Sequence, residues 1–190
     1  SWPPKTQRFA FNGNKAGVPS LWTFSFQDKK AALFAESPAG LAGSVMMNGS
    51  ISPDGSWLAY QSNETGTWEV YVQPIPATGA KYQITKGGTG SHHPLWSPNG
   101  RELFYVSYGS MFSVPIQTQP SFTIGYPVQL QIPEFVESPV NDRNSDITPD
   151  GKRFVVVFPP GQSAGGPRSA AQIQVVLNWF EELKQRMSRQ

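Results

Sequence analysis

Short runs that alternate large apolar with small or polar side chains recur along the chain. Leu21-Trp22-Thr23-Phe24-Ser25-Phe26 and Trp68-Glu69-Val70-Tyr71-Val72-Gln73 carry this pattern. A period of two sends every second side chain to the same face, the mark of a half-buried β-strand. Gly, Pro, Asn and Asp cluster between the runs and read as turns. One turn returns together with its flanking strands. Ile51-Ser52-Pro53-Asp54-Gly55-Ser56-Trp57-Leu58 is followed by Trp96-Ser97-Pro98-Asn99-Gly100-Arg101-Glu102-Leu103 and by Ile147-Thr148-Pro149-Asp150-Gly151-Lys152-Arg153-Phe154. A worn copy stands at Pro4-Lys5-Thr6-Gln7-Arg8-Phe9. Proline presets φ for such a turn, and glycine takes the positive φ that other residues resist.

The four prolines are spaced by about 49, 45 and 51 residues, which matches the period of β-propeller blades, about 40–50 residues. The pattern predicts an all-β chain, a β-propeller fragment of about four blades. The blades fall near residues 1–39, 40–90, 91–138 and 139–179. The second is the clearest, with strands at 49–52, 57–62, 68–73 and 82–85. In the third, Met111-Phe112-Ser113-Val114-Pro115-Ile116 is the third strand and Val128–Ile132 the fourth. Phe180, Leu183 and Met187 share one face of a short C-terminal helix over 180–188. The chain opens almost on the turn of its first unit and does not begin with Met. It reads as a piece of a longer protein, with the first inner strand and the last outer strand missing.

Composition changes this picture little. Of 190 residues, 38% are hydrophobic and 13% aromatic, with 18 Gly and 18 Pro, which is globular and rich in turns. A net charge of +2 gives no case for a nucleic-acid partner. No apolar run reaches the ~20 residues of a helical membrane span, so no membrane insertion is expected. The absence of cysteine excludes disulfides and thiolate chemistry.

The Ser-Pro-Asp-Gly turns and the Trp-x-Val-Tyr-Val strand at Trp68–Val72 resemble the TolB-like branch of WD-repeat-like β-propellers. The ending Val175-Val176-Leu177-Asn178-Trp179-Phe180-Glu181-Glu182-Leu183-Lys184 resembles the carboxyl terminus of large bacterial proteins. Those proteins join such a propeller to an N-terminal serine/threonine kinase or winged-helix regulator. The resemblance implies a module for protein interaction or ligand sensing with no shared catalytic residue and no cofactor. It also implies a periplasmic or otherwise extracytoplasmic place. Blades cannot bury their faces alone, so copies of the chain are expected to join and close a ring as a homodimer or larger.

Candidate chemistry is sparse. Gly161-Gln162-Ser163-Ala164-Gly165 fits the nucleophile-elbow pattern of serine hydrolases. The motif needs a helix directly after the serine, and Gly165-Gly166-Pro167 would break one. No histidine follows Ser163; the two histidines are His92 and His93. A loop between blade strands explains the motif. The alternatives are an esterase-like hydrolase using Ser163 with His92 or His93, or the propeller gate of a prolyl-oligopeptidase-like enzyme. As metal ligands His92 and His93 are disfavoured, because adjacent residues of an extended segment point to opposite faces. A loop pair at the mouth of the ring is the expected role, with no metal. Asp54, Asn99 and Asp150 suit turn formation rather than calcium, which needs about six to eight oxygens. Trp22, Trp57, Trp68 and Trp96 sit in strand patterns and read as core. Asn63-Glu64-Thr65 matches a glycosylation acceptor, a pattern frequent by chance. Loops around the channel are the expected ligand surface, through Asn48, His92, His93, Asn141, Asp142 and Arg143.

Overall fold

The computed structural model describes residues 6–38, 43–132, 143–157 and 173–177. The predicted helix over 180–188, the loop carrying Ser163, and Asn141 and Asp142 lie outside them. Every regular element among the described residues is a β-strand. β1 (Arg8–Lys15), β2 (Val18–Ser25) and β3 (Lys30–Glu36) form the first antiparallel sheet. The second runs β4 (Met46–Ile51), β5 (Trp57–Ser62), β6 (Glu69–Pro74) and β7 (Tyr82–Gln83). The third begins β8 (His92–Trp96), β9 (Glu102–Ser107) and β10 (Ser110–Gln117). The fourth is β13 (Ser145–Ile147), β14 (Arg153–Val157) and β15 (Ile173–Leu177).

The third sheet departs from the predicted single outer strand. β11 (Thr123–Ile124) pairs with the end of β10, and β12 (Val128–Gln129) pairs nearer its start. Between them Gly125 passes so close to Pro115 that a Cβ there would sit 3.0 Å from the proline ring. The close pass splits the outer strand in two.

The repeated turn is built the same way three times. In the first, the amide of Gly55 donates to the Ser52 carbonyl at 2.9 Å. The Ser52 hydroxyl donates to Asp54 Oδ1 at 2.5 Å and accepts from the Trp57 amide at 3.0 Å. Asp54 Oδ1 also accepts from the Ser56 amide at 3.1 Å. Ser97 and Asn99 repeat every one of these bonds, as do Thr148 and Asp150. The Thr148 hydroxyl and the Lys152 amide hold the Asp150 carboxyl below its usual range. The side-chain oxygens are consumed inside the turn, as an Asx turn requires.

The turns also stack on one another. A Cβ on Gly100 would touch Pro53 Cδ at 3.6 Å, and one on Gly151 would touch Pro98 Cδ at 3.7 Å. The glycines of the second and third turns thus rest on the proline of the turn before, while Gly55 of the first lies against Thr6.

Three apolar clusters fill the three gaps between neighbouring sheets. Leu21 meets Leu58, Tyr60 and Tyr71 between the first two sheets. Ala59, Val70 and Val72 meet Leu103, Tyr105 and Val114 between the second and third. Phe104, Val106 and Met111 meet Phe154 and Val156 between the third and fourth. Sequence alternation predicted half-buried strands. In β5, β6 and β9 both faces are buried, because each of these sheets has a neighbour on either side. The alternation sorts side chains between two interfaces rather than between core and water.

Candidate functional site

β4 lies against β8 and β1 against β4, while the main contacts of outer β7 are to β6. A left-handed residue marks each full inner strand: Asn48 at φ +56° in β4 and His93 at φ +53° in β8. Both stand four residues before the Ser of the repeated turn. The ladder to the second strand slips at each, between Met47 and Ser50 and between His92 and Leu95. A bulge of this kind re-aims side chains next to it.

The bulges are tied together by Gln61 of β5, which is fully buried. Its Oε1 accepts from Asn48 Nδ2 at 3.0 Å and from the His93 amide at 2.8 Å. The next link crosses to the fourth sheet. Arg143 donates through Nη1 to the Pro94 carbonyl at 3.1 Å and through Nε to the Ser145 carbonyl at 2.9 Å. Asn48, Gln61, His93, Pro94 and Arg143 therefore form one bonded path over three inner strands. Asn48, His93 and Arg143 were named from sequence. Gln61 was missed, although an amide inside an apolar strand such as Tyr60-Gln61-Ser62 is a signal, since a buried amide must find partners.

The histidines differ from expectation in two ways. They belong to β8 rather than to a loop, and only 5% and 2% of their surface is exposed. They also face each other, with Nδ1 atoms 2.8 Å apart and rings 4.6 Å apart at 90°. The left-handed φ of His93 breaks the two-residue period, so the opposite-faces rule for extended chain does not hold there. One Nδ1 donates its proton and the other accepts, so the two rings differ in protonation at Nδ1. Among the described residues no three His, Cys, Asp or Glu side chains group to hold a metal ion.

The loop entering β8 is anchored from the neighbouring sheet. Buried Glu69 accepts from the Gly88 amide at 2.8 Å and from the Thr85 hydroxyl, which itself accepts from the Val70 amide at 2.9 Å. Burial, helped by the Glu69 charge, pushes the Tyr105 phenol up to about 12. Asn63 is likewise committed to structure. Its Oδ1 accepts from the Val45 amide at 2.7 Å and its Nδ2 donates to the Gly43 carbonyl at 3.2 Å. Trp96 is buried, whereas Trp57 packs partly exposed against Phe122 at 4.9 Å.

No protein-family model matches the chain. Over 96 residues, half of its length, it is 32% identical to a TolB homolog of Chlorobaculum tepidum, and the match covers 20% of that relative. Its fold is similar to the crystal structure of TolB from Acinetobacter baumannii, with a TM-score of 0.63 at 17% identity. That match spans 93% of this chain and 40% of the other. A TolB structure from Agrobacterium tumefaciens matches with a TM-score of 0.60 at 18% identity, over 93% of this chain and 60% of that one. The chain thus spans less than two thirds of each of these three proteins. Its fold is that of a TolB-like β-propeller.

Proposed function

We propose that this TolB-like propeller chain is a non-catalytic binding module of a bacterial multidomain protein. In this reading it serves protein interaction or ligand sensing. The observation that carries it is the bonded path from Asn48 through Gln61 and His93 to Arg143. Bonds from three sheets meet there, and the loop entering β8 is anchored beside them by Glu69. Loops on a rigid scaffold are where such folds place recognition. The loops near Ser44–Asn48, Gly87–His93 and Val140–Asn144 would meet the ligand. Copies of the chain would join to complete a ring. An extracytoplasmic location belongs to the same proposal, supported by the likeness to a TolB homolog.

The test is a backbone NMR titration of the chain with a panel of peptides and small metabolites. The expected result is a set of shifts confined to Asn48, His93, Arg143 and the loops beside them. Absence of such shifts across the panel, together with hydrolysis of an activated ester that disappears in Ser163→Ala, would replace the binding reading with the hydrolase one.

A further inference from the structure

The gap between the second and third sheets widens at its turn end. A crevice of about 1060 Å³ opens there between the repeated turns that follow β4 and β8, with the end of β10 and β11 as its outer wall. All of its wall residues belong to these two sheets and their turns. It is separate from the bonded path over the inner strands. Asn48 and His93 stand four residues before Ser52 and Ser97, on the order of 13 Å along an extended strand. The repeat alone does not make such a space. In the next gap the positions of Trp57 and Arg101 are taken by Glu102 and Lys152, around a cavity of about 270 Å³.

Strand alternation decides which side chains face the crevice. Ala59 of β5 packs toward the third sheet, so Trp57, two residues earlier, looks the same way. Leu103 of β9 packs toward the second sheet, so Arg101 comes from the opposite wall. Trp57 is a braced plate. Phe122 lies 4.9 Å from it and Tyr82 meets it edge to face at 6.0 Å, while Tyr82 and Phe122 stack on each other at 4.1 Å. Arg101 is held by its backbone, whose amide donates to Asn99 Oδ1 at 2.9 Å and whose carbonyl accepts from the Ile116 amide at 2.8 Å. Its side chain is exposed and enters no ion pair among the described residues. Asp54 commits Oδ1 to its own turn and keeps Oδ2 outside those bonds.

These walls select a class of ligand. Asp54 and Arg101 are the charged residues of the lining, one of each sign, which gives a strongly charged molecule no net attraction. An apolar molecule would strand the amides and hydroxyl of Asn99, Gln119 and Thr123 away from water. An extended peptide would find a strand edge of only two residues, Thr123–Ile124. A saccharide meets every demand. The C–H face of its ring lies flat on an indole, and its rim hydroxyls donate to a carboxylate and accept from a guanidinium or an amide. Rings with equatorial hydroxyls and β-linkages offer the flattest such face. We propose that the crevice binds an oligosaccharide of this kind, one ring stacked on Trp57 and its hydroxyls bonded to Arg101 and Asp54. The volume stands at the upper end of small-molecule sites, about 300–1,000 Å³, with room for more than one ring.

The test is a titration of the whole chain with cellotriose and with chitotriose, followed by proton–nitrogen NMR. The expected result with at least one of them is a saturable shift of the Trp57 indole and of the Gly100, Arg101 and Thr123 amides. Arg101 is exposed, so Arg101→Gln leaves the fold intact and should weaken that binding about tenfold, the worth of a hydrogen bond to a charged group. Trp57→Leu should abolish it, with spectral dispersion reporting whether that variant folds. No saturable shift with either sugar would overturn the proposal. So would sugar binding of undiminished strength in Arg101→Gln. Shifts at these residues with a proline-rich peptide and none with the sugars would give the crevice to a peptide and overturn it as well. Asn48 and His93 report separately on the channel loops, so loss of the sugar site leaves the ligand-binding reading standing, and the reverse.

Discussion

Gln61 holds two inner strands through one oxygen. Replacing it with Leu keeps volume and burial but leaves the His93 amide and Asn48 Nδ2 without that acceptor. An unsatisfied buried donor costs roughly 1–3 kcal/mol. Gln61→Leu should lower the unfolding free energy by that amount, read as a lower urea midpoint at an unchanged slope, since the surface exposed on unfolding stays the same. An unaltered midpoint would show that the bulges hold without it. Asn48 and Arg143 were readable from sequence because they stand near the starts of inner strands, a place fixed by counting back from the repeated turn. The facing of His92 on His93 was not readable. It depends on a positive φ at a non-glycine residue, which tertiary pairing imposes and no local preference announces. Asn141, Asp142 and Ser163 lie outside the described residues, so their roles stay with the proposals.

At the scale of the turn and strand, two glycines separate two kinds of constraint. Gly100 sits at φ +71°, and a Cβ there would meet Pro53 only at ordinary contact distance. Gly100→Ala should cost roughly 1–2 kcal/mol through the backbone alone, and changing Pro53 should not recover it. Gly49 lies in β4 with no such φ, yet a Cβ would fall 2.8 Å from Ala10 Cβ and 3.3 Å from Leu58. Gly49→Ala should cost roughly 1–3 kcal/mol by overpacking. Adding Ala10→Gly should return part of that loss, a coupling that thermal unfolding of the four variants measures. The turns were legible because Pro, Asx and Gly each carry their conformation with them. The split of the outer strand at Gly125 was not, because it comes from a contact ten residues back along the chain. The sheet faces add a pH dependence. Burial raises the phenols of Tyr60, Tyr71 and Tyr105, the last to about 12, and the Glu64 charge reinforces the first two. A folded value above the unfolded one of about 10 means that the folded chain keeps protons the unfolded chain releases. That stability is fully present below pH of about 10 and is lost as pH rises through the folded values. Urea midpoints should fall as pH rises above about 10, and Tyr105→Phe should flatten the decline.

At the scale of the molecule, the proposed joining of copies has a direct test. Light scattering over a dilution series should give a stable mass of two or more chains of 20.9 kDa. A compact single chain at every concentration would mean that the stack stands without closing. The all-β class and the propeller stack were legible because one motif recurs at blade spacing. The burial of both strand faces was not, since alternation alone does not say whether water or another sheet lies opposite. The nesting of a turn's glycine on the previous turn's proline has a consequence for how such chains change length. From the second unit to the fourth, each proline is a peg for the next unit's glycine. A duplicated or deleted unit therefore meets its new neighbours through the same pair of residues, and no interface has to be reinvented. The number of units is left to curvature, to whichever count first brings the last sheet round to the first.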